Sequence, residues 1–114
     1  MLVDSYIKQD FVKQVFMESC LIISNIYDAE NIAKSISSKC NIIFESSYIK
    51  MAFFHKIKQQ NKFIRIINCN SSKTRLLQDI IEYDNELIIF DNIKYCTDFD
   101  IFNKINKMNR ILVC

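Results

Sequence analysis

Along the chain, short unbroken apolar runs alternate with longer stretches in which apolar residues recur every three or four positions. Asn85 to Asn92 shows the first kind of pattern most clearly. Leu87, Ile88, Ile89 and Phe90 run without alternation between polar neighbours, as in a parallel strand covered on both faces, and Asp91 follows at the carboxyl end. Cys40 to Phe44, Phe63 to Asn68 and Arg110 to Cys114 read as strands of the same type, and Leu21 to Ile23 as a possible first one. Between them, helical spacing places Ile32, Ala33 and Ile36 on one face of a helix capped by Asp28. The same spacing groups Ile49, Ala52, Phe53 and Ile57 between about Ser46 and Gln60. Leu76, Leu77, Ile80 and Ile81 form the buried face of a helix entered through Asn70, Ser71 and Ser72. Phe99, Phe102, Ile105 and Met108 do so in a helix capped by Thr97 or Asp98.

Strands that alternate with helices of ten to fifteen residues predict right-handed crossovers and a mainly parallel sheet. The fold expected is a three-layer α/β/α domain with four or five strands. It spans residues 20–114 and is preceded by an N-terminal helix in residues 1–19, with no linker between them. Within that first segment Ile7, Phe11, Val12, Val15 and Phe16 line one face from Ser5 to about Glu18, with Asp4 as cap. This helix packs on the sheet or docks a partner. The chain ends directly after a strand, which predicts a bare final strand, from a truncated domain or an edge that a partner completes. Strand order stays open, since a P-loop order and a flavodoxin-like order fit the same string.

Composition narrows the classes. The 114 residues are 50% hydrophobic and 25% charged, with net charge +2. That excludes a disordered chain, and it gives no broad basic surface of the kind nucleic acid demands. A local basic face built from Lys56, Lys58, Lys62 and Arg65 remains as a nucleic-acid reading. No run is long enough to span a membrane, and Asp4, Lys8 and Asp10 interrupt any secretory leader. Gly, Pro and Trp are all absent while Ile, Asn and Lys abound. This bias implies an AT-rich coding genome, that of a virus or phage, a mobile element, an endosymbiont or an organelle. Without Gly, backbone positions of positive φ fall to Asn. The five cysteines form no C-x-x-C pair. With a single histidine they make no zinc pattern, and they imply an intracellular, reducing compartment, cytoplasm or organelle matrix. Cys20, Cys40, Cys69 and Cys114 border apolar runs and read as small buried hydrophobes.

The later half, Phe63-Ile-Arg-Ile-Ile-Asn-Cys-Asn-Ser-Ser-Lys73, a helix, and then Glu86-Leu-Ile-Ile-Phe-Asp91-Asn92, resembles the core of AAA+ ATPases and the related viral superfamily-3 helicases. The resemblance implies that Asp91 stands where those families hold Mg²⁺, and that Arg110 to Cys114 is the following strand. Their phosphate loop is G-x-x-x-x-G-K-[ST]. With its lysine set on Lys50, Phe44 and Ile49 occupy the glycine positions and Met51 the hydroxyl position. The backbone N–H groups therefore have no glycines to let them wrap a phosphate, and no hydroxyl is present for the metal. Glu45 brings negative charge to the phosphate position, and Asn92 replaces a second acid. The loop reads as degenerate.

The candidate nucleotide- or anion-binding residues are thus Ser46, Ser47, Lys50 and Asp91, with Ser46 and Ser47 at a helix N-terminus that can hold an anion. Glu45, Asp84 and Asp91 at one sheet edge would be the alternative metal set. His55 has no acid or nucleophile placed beside it. Three functions are weighed. The first is a non-catalytic module that binds a protein partner or belongs to a larger assembly, with no cofactor. The second is a nucleotide-dependent ATPase or helicase-type replication protein using ATP and Mg²⁺. The third is a nucleic-acid-binding module.

Overall fold

The computed structural model describes residues 2–60, 64–83 and 85–114. Its elements are α1 (Leu2–Tyr6), α2 (Asp10–Glu18), β1 (Leu21–Ile23), α3 (Ile26–Ser35), β2 (Cys40–Phe44) and α4 (Ser47–Gln59). They continue with β3 (Arg65–Asn68), α5 (Lys73–Glu82), β4 (Ile88–Asp91), a 3₁₀ turn (Ile93–Tyr95), α6 (Phe99–Lys107) and β5 (Arg110–Val113).

The five strands form one sheet in the order β1-β2-β5-β4-β3, every pair parallel. From β1 the chain steps to β2, crosses by α4 to the far edge at β3, and returns through β4 to β5. Right-handed crossovers require the outward and return helices to lie on opposite faces. The side chains sort accordingly. Ile42, Phe44, Ile89, Ile111 and Val113 pack with Ala29, Ala33, Phe53 and Ile57 of α3 and α4. Ile43, Ile88, Phe90 and Leu112 pack with Val12 and Phe16 of α2, Leu76 and Ile80 of α5, and Phe102 and Ile105 of α6. Because both faces are covered, Ile88, Ile89 and Phe90 are all fully buried, and this is the physical source of their unalternating sequence. The result is the expected three-layer α/β/α arrangement, with all five strands present.

Several expectations are corrected. The last strand is not bare: β5 lies in the middle of the sheet between β2 and β4, and all four of its residues are buried. The edges are β1 and β3 instead. The N-terminal helix is two helices, with Gln9 extended at the start of α2. The break lets Val3 and Ile7 as well as Val12 and Phe16 reach the same core, so both helices pack on the sheet. Asp4 lies within α1 and pairs with Lys13 at 3.6 Å rather than capping. Helix α3 starts earlier than Asp28, because Asn25 is the cap. Its side chain accepts from the Asp28 N–H at 2.8 Å and donates to the Asp28 carboxylate at 2.9 Å, a reciprocal arrangement like a capping box. Ile81 and Phe99 are exposed. Phe99 still meets the Phe11 ring edge-on at 5.5 Å. Asp98, not Thr97, caps α6 by accepting from the Ile101 N–H at 3.0 Å.

Candidate functional site

In a parallel sheet the crevice for ligands opens at the carboxyl ends, where connections leave in opposite directions. Here that point lies above β5, between the loop that leads from β2 into α4 and the loop that leaves β4. Helix α4 begins there because Ser46 is extended and its Oγ accepts from the Ile49 N–H at 3.3 Å. The first-turn N–H groups of Ser47 and Tyr48 have no partner within the helix. One turn into α4, Lys50 faces back across the top of β5.

The structure brings Lys50 and Asp91 together. Lys50 Nζ donates to Asp91 Oδ1 at 3.0 Å and to Asn92 Oδ1 at 3.1 Å. Lys50 and Asp91 are 19% and 17% exposed at their side chains, so the pair is partly shielded from water. Asn92 also donates its backbone N–H to Asp91 Oδ1 at 2.8 Å, and its Nδ2 to Asn68 Oδ1 at 3.1 Å. These contacts come from a residue at φ 57°, the one non-glycine positive φ among the described residues. Asparagine tolerates that left-handed conformation better than most side chains, so Asn92 fills a role that the glycine-free chain cannot give to Gly. The end of β4 is thereby knitted to β3 and to α4.

Beside this pair is a small open cavity of about 200 Å³ lined by Tyr6, Glu45, Ser46, Ser47, Lys50 and Lys94, floored by Phe44 and Cys114. Three of the four candidate residues, Ser46, Ser47 and Lys50, meet here. Asp91 is reached only through Lys50. Glu45 lines the same cavity. Burial pushes the Cys114 thiol up, while Lys50 and Lys94 pull it down more weakly. Tyr6 and Lys94 were not foreseeable as neighbours. Lys94 sits two residues past Asn92 in an unmarked turn, and Tyr6 arrives from the other end of the chain.

The remaining sequence candidates fall elsewhere. Lys56 and Lys58 occupy the last turn of α4, at the opposite end of the sheet. Arg65 lies at the start of edge strand β3, engaged with Glu86 at 3.7 Å and stacked over the Tyr83 ring at 3.5 Å. Lys62 and Asp84 lie outside the described residues, as does Phe63. Among the described residues no cluster of three or more His, Cys, Asp or Glu is placed to hold a metal, and His55 is exposed on α4. All five cysteines are free thiols. Burial raises each of them, most strongly Cys69, which is the opposite of what an attacking thiolate requires.

No helix among the described residues is long and apolar enough to cross a membrane. Neither a protein-family model nor a curated protein nor a solved structure matches the chain.

Proposed function

We propose that this chain is a non-catalytic α/β module that acts by binding a protein partner, alone or within a larger assembly. Its P-loop-like centre is degenerate and closed by an internal ion pair. The observation that carries the reading is the engagement of Lys50. The cation that would face a phosphate is instead held at 3.0 Å by Asp91, the acid that would face the metal. The cavity beside them, about 200 Å³, falls below the ~300 Å³ at which small-molecule sites begin. Glu45 adds repulsion, and Met51 stands in place of the metal-binding hydroxyl.

The carboxyl rim supports the partner half of the reading. Tyr27 on the first turn of α3 is 75% exposed, Tyr48 on the first turn of α4 70%, and Met51 68%, with Tyr95 exposed after β4. Tyrosine and methionine are enriched at protein interfaces, and large aromatic anchors dominate their energetics. The free thiols are in keeping with a reducing compartment.

The test is affinity capture of the tagged chain from its host, alongside a Tyr27→Ser/Tyr48→Ser/Met51→Ser variant. The expected result is a stoichiometric partner that the variant loses while keeping its fold. Recovery of the wild-type chain alone, combined with Mg·ATP binding in solution, would overturn the reading.

One observation favours the nucleotide-dependent alternative. Lys50 and Asp91, far apart in sequence, meet at the carboxyl end of the sheet. That alternative requires the pair to open, and it predicts Mg·ATP binding abolished by either Lys50→Ala or Asp91→Ala.

A further inference from the structure

The opposite, amino end of the sheet carries an unexplained buried charge. Arg110, the first residue of β5, is 3% exposed. Its Nη1 donates to the Cys40 carbonyl at 3.1 Å and to Asn41 Oδ1 at 2.6 Å, and its Nη2 donates to Asn106 Oδ1. A guanidinium has five N–H donors, so these three bonds leave it under-satisfied, and its Nε–H is buried with no acceptor. All three acceptors are neutral. Among the described residues no carboxylate forms an ion pair with Arg110 or with nearby Lys39. Burial lowers Arg110 to about 10, and Lys39 is lowered by burial and by the Arg110 charge. A buried cation without a counter-charge is costly, and such groups are ordinarily paired.

Arg110, Lys39, Asn41 and Asn106 line one open cavity of about 280 Å³, with Glu18 and Ser19 of the α2–β1 junction on its other side. Asn41 is itself fixed, because its Nδ2 donates to the Ser19 carbonyl at 2.8 Å. The cavity is therefore polar, with two cationic side chains, Arg110 and Lys39, in its lining, and at about 280 Å³ it is too small for a nucleotide.

We propose that this cavity is a binding site for a small oxyanion, a carboxylate or a phosphate group, with Arg110 and Lys39 as the charged contacts and Asn41 and Asn106 orienting the guanidinium. The proposal is independent of the partner-binding reading, since it concerns the other end of the sheet. Glu18 is the internal competitor. It lines the cavity but is exposed, and among the described residues it makes no ion pair.

The test follows the Arg110 Nε–H resonance and the melting temperature of the whole chain. Sodium phosphate, sodium acetate and sodium chloride are compared at matched ionic strength. A shift in phosphate but not acetate assigns a phosphate ligand, and the reverse assigns a carboxylate. Lys39→Gln should keep the anion-free melting temperature and weaken the response by about tenfold, the value of one charge-assisted contact. Glu18→Gln should strengthen it. Arg110→Lys keeps the charge but not the planar fork, and should weaken binding even where it folds. The proposal is overturned if neither oxyanion moves the resonance or the melting temperature beyond chloride in the wild-type and Glu18→Gln chains. It is equally overturned if Glu18→Gln destabilises the anion-free protein as a lost internal counter-ion would.

Discussion

Replacing Lys50 by Met should destabilise the protein even though no ligand is involved. The substitution keeps most of the aliphatic stem and removes the ammonium, leaving the Asp91 carboxylate, among the described residues, with the Asn92 N–H at 2.8 Å. Fully exposed pairs contribute roughly 0.2–1 kcal/mol, whereas stripping one partner from a fully buried pair costs about 3–5 kcal/mol. With about a fifth of each side chain exposed, this pair lies between those limits, and a loss of about 2 kcal/mol is expected. For 114 residues the entropy of unfolding is about 0.24 kcal/mol per degree, so the melting temperature should fall by about 8 °C. The assay is urea unfolding of wild type, Lys50→Met, Asp91→Asn and the double variant. Asp91→Asn keeps an acceptor for the Asn92 N–H but removes the charge. The double variant should be no less stable than the weaker single one, giving a coupling of about 1–2 kcal/mol. Additivity to within about 0.3 kcal/mol would refute the reasoning, because Lys50 would then be a solvated lysine that merely lies near Asp91.

Asn92→Ala should cost about 1–3 kcal/mol, since alanine tolerates φ 57° poorly and the bonds to Lys50 and Asn68 are lost. Asn92→Gly should cost less, and a melting series with Ala above Gly would contradict this. Asp98 is held below the usual carboxylate range by the Ile101 N–H that it caps and by Lys73 at 2.9 Å. Its contribution is therefore complete above the unfolded carboxylate range and is lost as pH falls through the folded value. The wild-type advantage over Asp98→Asn should shrink with acid and vanish once both states are protonated, which melting curves from neutral to strongly acidic pH would follow. Iodoacetamide at neutral pH should label the half-buried Cys20 and Cys40 before Cys69, Cys96 and Cys114. Peptide mass spectrometry showing early modification of Cys69 would mean that the α5 side of the core opens locally.

What could be read from the sequence, and what could not, divides by range. Strand β4 was legible because burial on both faces demands an unalternating run, and Ile88, Ile89 and Phe90 meet that demand locally. So was the stripe of Ile49, Phe53 and Ile57, which needs only the helical repeat. The Asn25 cap was obscured by Asp28, since either residue type serves at a helix start and only the reciprocal bonds decide. Nothing marks the break after Tyr6, because the chain has neither Gly nor Pro to announce it. Ile81 sits at helical spacing beside Ile80, yet α5 covers the end of the sheet and only one of the two turns inward. Strand order was illegible for a general reason: every parallel strand here is an apolar run, and local pattern does not state which runs are neighbours. The misplaced last strand follows from that. A strand at the end of the sequence is not a strand at the edge of a sheet.

The same long-range geometry decides where chemistry remains open. Above β5, two loops from opposite directions deliver Lys50 and Asp91 to one point, and the charges cancel. Below β5, Arg110 enters the core with Asn41, Asn106 and a carbonyl around it, all neutral, so among the described residues nothing cancels its charge. Sequence alone ranks these sites the other way, because a lysine and an acid matching a known pattern attract notice while an arginine opening an apolar strand does not. Burial reverses the order. An ion pair that satisfies itself has little left to offer a ligand, whereas a buried cation lacking a counter-charge gains from any oxyanion that reaches it. On that physical ground the amino end of the sheet, rather than the customary carboxyl end, is where a small ligand of this fold should first be sought.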